Sequence, residues 1–219
     1  MKGRSAALAL LVLALAACQA EEAGSLPQGD GYDFFVLSLS WSPSHCEIEG
    51  DRASRQQCGR NADHAFIVHG LWPQFERGWP EFCDSSEPQR VPDAIVRQMA
   101  DIMPSGGLVG HQWRKHGSCA GLSQSDYFSL VRAAWERVAI PAQFDDPDQR
   151  ITTSPDEVET AFIAVNAGMQ ADGIAITCEG RLISEARICL TKQLEFRSCP
   201  QVEARACRLP RATMPATRN

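Results

Sequence analysis

The stretch YDFFVLSLSW, residues 32–41, is dense in aromatic and branched side chains and reads as a buried β-strand. Beyond Trp41 the pattern is irregular. A polar loop bracketed by Cys46 and Cys58 is expected over 42–62, then AFIVHG (65–70) as a second strand ending at a glycine turn. VPDAIVRQMADIMP (91–104) has the pattern of a helix, with Pro92 near its start and Pro104 stopping it. Ser125 stands where it can cap a helix over DYFSLVRAAWERVAI. Ser154-Pro155-Asp156-Glu157 is a capping box with proline at the first helical position, and Gly168 is placed to end the helix it opens. GIAITC (173–178) and RLISEARICLT (181–191) read as two strands across a Glu-Gly turn, with a cysteine-rich tail behind them. Strands and helices in irregular order, with no internal repeat, give the α+β class and a single domain.

Upstream of that domain the chain begins MKGRSAALALLVLALAAC, two basic residues before an apolar run from Ala6 to Ala17. The run is short and N-terminal, so residues 1–17 read as an export leader rather than a spanning helix. Leu15-Ala16-Ala17-Cys18 has the form of a bacterial lipobox, in which Cys18 carries the lipid that anchors the protein to a membrane. The alternative is cleavage after Ala14-Leu15-Ala16, which leaves Cys18 as a stray thiol. Either way the protein is expected to be exported, to the periplasm, to an outer-membrane anchorage or to the medium. Residues 18–30 have the composition of a polar tether, and residues 31–219 form the domain.

Apart from Cys18 there are eight cysteines, at 46, 58, 83, 119, 178, 189, 199 and 207. An even set behind an export leader implies disulfides and an oxidising compartment, although spacing alone does not pair them. No C-x-x-C pair occurs, which argues against a zinc cluster. The formal net charge of −6 deepens to −8 once Lys2 and Arg4 leave with the leader. Such a chain has no global attraction for polyanions, so any nucleic-acid substrate must be drawn in locally.

Chemistry concentrates in HQWRKHGSC, residues 111–119. At about 100° per residue, His111, Gln112, Lys115 and His116 fall at roughly 0°, 100°, 40° and 140° around a helix, within one broad arc. Trp113 and Arg114 point elsewhere, Gly117 can end the helix, and Cys119 can tie its end down. The two histidines lie too far apart on the helix for the usual zinc pair. By itself the segment could be a solvated helix face. FIVHGLWPQ (66–74) adds His69 at the end of a strand, where a turn can present its ring to a cleft, and Trp72 as a flat surface for a base or sugar. A core histidine and a core anchor beside Pro73 are the plainer readings of these two residues.

Together, FIVHGLWPQ and HQWRKHGSC resemble the paired active-site segments of the ribonuclease T2 family, and YDFFVLSLSWSPSHC resembles that family's opening strand and first cysteine. The resemblance runs from about Tyr32 to Cys207. It implies a central, mainly antiparallel sheet flanked by helices and stabilised by disulfides. It also implies an acid-active, metal-independent endoribonuclease that needs no cofactor, acts as a monomer and has RNA as its partner. Position by position, His116 is implied as the base that takes the ribose 2′-OH proton, and His69 as the acid that protonates the leaving 5′-oxygen. Lys115 would stabilise the phosphorane, His111 would bind phosphate or assist the leaving group, Trp72 would stack on a base, and Gln74 would contact it. The family framework further suggests disulfides Cys46–Cys58, Cys83–Cys119, Cys178–Cys207 and Cys189–Cys199.

Imidazole suits both proton transfers near neutrality. A chemistry that uses the 2′-OH leaves DNA uncut and forms a 2′,3′-cyclic phosphate first. One position departs from the family pattern: Gln112 stands where a glutamate is usual. An amide keeps the shape but neither accepts a proton nor raises a neighbouring histidine's pKa by its charge. An altered but active enzyme is therefore expected, with a catalytically impaired homologue that binds RNA or a protein partner as the alternative. A metal-dependent phosphodiesterase is disfavoured by the lack of an acidic ligand cluster.

Overall fold

The computed structural model describes residues 25–217. Its strands are β1 (Phe34–Trp41), β2 (Phe66–Gln74), β3 (Ile151–Thr153), β4 (Ile174–Glu179), β5 (Leu182–Leu190) and β6 (Ala212–Met214). The α-helices are α1 (Ser42–Glu49), α2 (Arg55–Cys58), α3 (Asp93–Met99), α4 (Gly106–Lys115), α5 (Gln124–Arg137), α6 (Pro155–Val165) and α7 (Pro200–Glu203). All six strands form one sheet in the order β2-β1-β5-β6-β3, with β4 on the remaining edge of β5. The pairings are antiparallel except for the parallel contact of β5 with β6.

β1 is central and has two different faces. Phe35, Leu37, Leu39 and Trp41 join the main core with Phe66, Val68 and Leu71 of β2, Tyr127, Leu130 and Val131 of α5, and Val158 and Phe162 of α6. The other face carries Phe34 and Val36, which pack with Ala175, Cys189, Cys199 and Val202 in a smaller cluster. That face then turns polar at Ser38 and Ser40, a change that matters for the site.

The chain pairs Cys46 with Cys58, Cys83 with Cys119, Cys178 with Cys207, and Cys189 with Cys199. Cys18 and the export leader lie outside the described residues. Of the expected tether, residues 25–30 lie against the domain. Leu26 packs on the core and Gly29 approaches Ala120 too closely for a side chain. Among the described residues no helix is long and apolar enough to cross a membrane.

Several local expectations change. The 42–62 loop contains α1 and α2, and Pro43 sits in the first turn of α1, where its missing N–H costs nothing. α3 ends at Met99, five residues before Pro104, because the chain peels away so that the Ile102 carbonyl accepts the Val68 N–H of β2. Ser123, not Ser125, caps α5 by accepting the Asp126 N–H at 3.1 Å. The capping box on α6 forms as read, but the helix stops at Asn166, and Gly168 takes its positive φ in the turn beyond.

Candidate active site

β2 runs straight through Gly70 rather than ending there. Its register against β1 slips at this point: Ser38 faces Gly70 and Leu39 faces Val68, so His69 is the extra residue of a β-bulge. The slip has a geometric effect. Side chains of a regular strand alternate, so residues 69 and 72 would face opposite sides. With the bulge, Val68 and Leu71 both reach the core, while His69, Trp72 and Gln74 all line one cleft.

Gly70 also has a packing role. A Cβ there would collide with Gln112 Oε1 and Trp72 Nε1, which cross directly over the strand. The indole N–H of Trp72 donates to Gln112 Oε1 at 2.9 Å. An indole nitrogen only donates, so this bond fixes the orientation of the amide and leaves its nitrogen end for the cleft.

α4 supplies the second wall. Ser105 caps it, accepting the Leu108 N–H at 3.4 Å. Val109 and Trp113 face the core, while His111, Gln112 and Lys115 face the cleft. The helix ends one residue earlier than expected, with His116 as its C-cap rather than its last turn, yet the His116 ring still lines the cleft. Gly117 follows because a side chain there would strike Trp113 and Tyr127, not because a turn needs it. Tyr127 then donates its hydroxyl to the Leu71 carbonyl at 2.8 Å, fastening the end of α4 to β2. The Cys83–Cys119 bridge and the Phe82 N–H to Lys115 carbonyl bond hold the same end from the other side.

The histidines sit in contrasting settings. His116 is buried, stacks on Trp72 with ring centroids 5.2 Å apart, and has no hydrogen-bond partner for Nδ1 among the described residues. Burial first, then the charges of Lys115, His69 and His111, push it down to about 3. His111 is exposed and is also lowered, by desolvation first and then by Lys115 and Arg114. His69 meets a carboxylate: its Nδ1 contacts Glu185 Oε1 of β5, and its ring stands edge-on to Trp72. Glu185 Oε2 is taken by Arg187, through Nε at 2.9 Å and Nη2 at 2.7 Å. Burial would raise the Glu185 carboxyl, but the His69 hydrogen bond and charge, followed by Arg187, hold it at about 2. Lys115 has a looser partner, Glu81, at 3.6 Å.

One cleft of about 430 Å³ thus brings together His69, Trp72, Gln74, His111, Gln112, Lys115 and His116. Gln74 turns its amide back onto the Pro73 carbonyl at 2.9 Å. Trp72 has His116 stacked on its ring and the Arg187 guanidinium 5.3 Å from it. Sequence reasoning missed three residues of the wall, Arg187, Trp79 and Arg205, the last lying 4.8 Å over the exposed Trp79 ring, and it missed Glu185, which meets His69 from behind that wall. No motif marks them, although a Glu-x-Arg pair on one face of a strand otherwise made mostly of apolar residues is a signal of a kind. Among the described residues, no group of three or more His, Cys, Asp or Glu side chains is arranged to hold a metal ion.

The model of the Ribonuclease T2 family matches residues 32–199. A ribonuclease of Aeromonas hydrophila is 43% identical over 100 residues, 46% of this chain and 43% of that one. Ribonuclease I of Escherichia coli (strain K12) is 26% identical over 216 residues, 80% of each chain. The chain spans about half the length of the curated relatives it matches first. Among solved structures, an RNase-related protein from Calystegia sepium superposes with a TM-score of 0.68 at 17% identity, covering 86% of this chain and 99% of the other. RNase NT in complex with 5′-AMP gives 0.56 at 22%, covering 86% and 98%. At these identities the structural matches speak for the fold.

Proposed function

Because the chain belongs to the ribonuclease T2 family, we propose that it is an endoribonuclease that cleaves single-stranded RNA by metal-independent acid–base transesterification. The observation that carries this reading is the contrast between two imidazoles in one cleft. His116 is desolvated, next to the Lys115 ammonium and without a carboxylate, so it stays neutral and free to accept a proton. His69 is bound through Nδ1 to a carboxylate, which fixes the ring and leaves its other nitrogen for the cleft. Paired titratable groups in opposing environments mark the base and the acid.

In the proposed reaction His116 takes the proton of the ribose 2′-OH as the 2′-oxygen attacks phosphorus. His69 gives its proton to the 5′-oxygen as that P–O bond breaks, and the products are a 2′,3′-cyclic phosphate and a free 5′-OH. Each positioned transfer is worth about 10²–10⁴ in rate. Lys115 and the nitrogen end of Gln112 face the phosphorane oxygens, a fixed positive edge that stabilises developing charge. His111 binds the phosphate from the exposed side. Trp72 and Gln74 form the wall on which a base rests, Trp72 while also holding His116 and Gln112. The four disulfides support export to an oxidising compartment.

The test is incubation of the protein with RNA and with DNA, with and without EDTA, followed by mass analysis of the ends. EDTA-resistant cleavage of RNA alone, with cyclic phosphate ends, is expected. Intact RNA would instead identify a homologue that binds without cutting, and EDTA-sensitive cleavage a metal enzyme.

A further inference from the structure

We propose that Glu185 is the positioning residue for His69, anchored in turn by Arg187, so that a carboxylate–imidazole pair delivers the proton to the leaving oxygen. The inference rests on the endoribonuclease reading and adds residues that none of the active-site motifs contains.

Three separate features of the sheet converge on this contact. The first is distance. His69 is on β2 and Glu185 on β5, with β1 between them, so the two backbones stand about 10 Å apart. The second is clearance. The β1 residues opposite Glu185 and Arg187 are Ser40 and Ser38, small side chains on a face that carries Phe34 and Val36 further back. A larger residue at either serine would fill the space through which the histidine and glutamate meet. The third is the bulge, which sets His69 on this face. Glu185 is itself 9% exposed and divides its oxygens, Oε1 to His69 and Oε2 to Arg187. It therefore cannot swing away without stranding a guanidinium.

The consequence is tautomeric and orientational. With Nδ1–H bound to Glu185, Nε2 is the nitrogen turned to the cleft, and it carries the transferable proton. When P–O5′ breaks, the electron pair leaves with O5′, the Nε2 proton joins it, and Glu185 is left facing a neutral ring. The 2′-OH proton has by then passed to His116, so charge and protons balance. Other charged or titratable groups also face His69: His45 of α1, Arg187 of β5, and His111, Lys115 and His116 of α4 and its cap. Glu185 is the carboxylate that reaches the ring.

A substrate with a good leaving group tests this, because it departs without an acid. The pair to compare is a dinucleoside monophosphate and the p-nitrophenyl ester of the same nucleoside 3′-phosphate. For Glu185→Gln we expect kcat/KM on the dinucleotide to fall about 10- to 100-fold, a share of the general-acid contribution. On the ester the loss stays below about threefold, because that leaving group departs without the acid. Arg187→Gln, which leaves the Glu185–His69 contact in place but frees the carboxylate to move, is expected to show the same selectivity with a smaller loss. It serves as the readout if Glu185→Gln does not fold. Equal losses on both substrates, or none on either, overturn the proposal. Wild-type protein that cleaves neither substrate overturns the endoribonuclease reading itself, and the proposal with it.

Discussion

Gln112→Glu restores a carboxylate to the floor of the cleft, and the structure sets what that charge does. The Trp72 N–H that now donates to Gln112 Oε1 can donate equally to a carboxylate oxygen, so the side chain keeps its place. Residue 112 stands one turn from His116, a separation of about 6 Å. At an effective dielectric of about 20, unit charges that far apart interact by about 3 kcal/mol, equivalent to about two pKa units. The position is buried, which opposes ionisation of the new carboxyl, while the neighbouring Lys115 favours it. A net rise of about one to two units for His116 is expected. It starts from about 3. A general base works only when unprotonated, so the acidic limb of kcat/KM moves to higher pH by the same amount. Near pH 3.5 the variant should be about tenfold slower than wild type. Near neutrality it should match or exceed wild type, since a more basic imidazole takes the proton more readily. The assay is a pH–rate profile on a dinucleotide, with His116 titrated by NMR in parallel. An unmoved acidic limb alongside a shifted His116 titration would refute the assignment of His116 as base. An unmoved titration would refute the electrostatic reasoning.

The same geometry yields three other expected outcomes. Unfolding free energy should fall steadily as pH drops from 6.5 to 2. His116 withholds a proton that the unfolded chain binds below its ordinary 6.5, and the Glu185 contribution, full above 4.5, is lost as its carboxyl protonates toward 2. Urea unfolding at stepped pH measures this, and His116→Phe should flatten the upper half of the curve. Gly70→Ala should displace Gln112 and Trp72 together, costing about 1–3 kcal/mol of stability and at least tenfold in activity, as read by thermal unfolding and RNA cleavage. Replacing Cys83 and Cys119 together by alanine opens a 36-residue loop, about 4 kcal/mol on chain-entropy grounds, and should lower activity in the still-folded protein because it loosens the end of α4.

The parts of the site that were legible in the sequence are those written in contiguous runs. HQWRKH shows its shared face through helical angles alone, and HGLWP adds the third histidine from a neighbouring strand. Glu185 and Arg187 were not legible. Their partner is 116 residues away and across an intervening strand, a relation set by sheet register rather than by spacing. The bulge left a mark that was misread: a glycine inside a strand pattern signals a bulge or a close approach, and Gly70 serves both, but beside His69 it looked like a turn. α1 was announced by Ser42-Pro43 and hidden by the polar composition around it. β3 and β6, three residues each, are too short for any periodicity to show. The caps show the same limit on a smaller scale, since Ser123 and Ser125 are both competent and only the geometry chooses between them.

The bulge at His69 gives β2 something like a reading frame. Upstream of it the even-numbered Phe66 and Val68 face the core, and downstream the odd-numbered Leu71 does while Trp72 and Gln74 line the cleft, so the strand is spelled in two frames joined at one residue. Deleting a single residue near the junction would repair the ladder and make a more regular strand. It would also turn either the histidine or the tryptophan into the core. Mutational drift that favours sheet regularity therefore works against this cleft, and the imperfection in the ladder is the feature to look for when judging whether a distant homologue has kept its site.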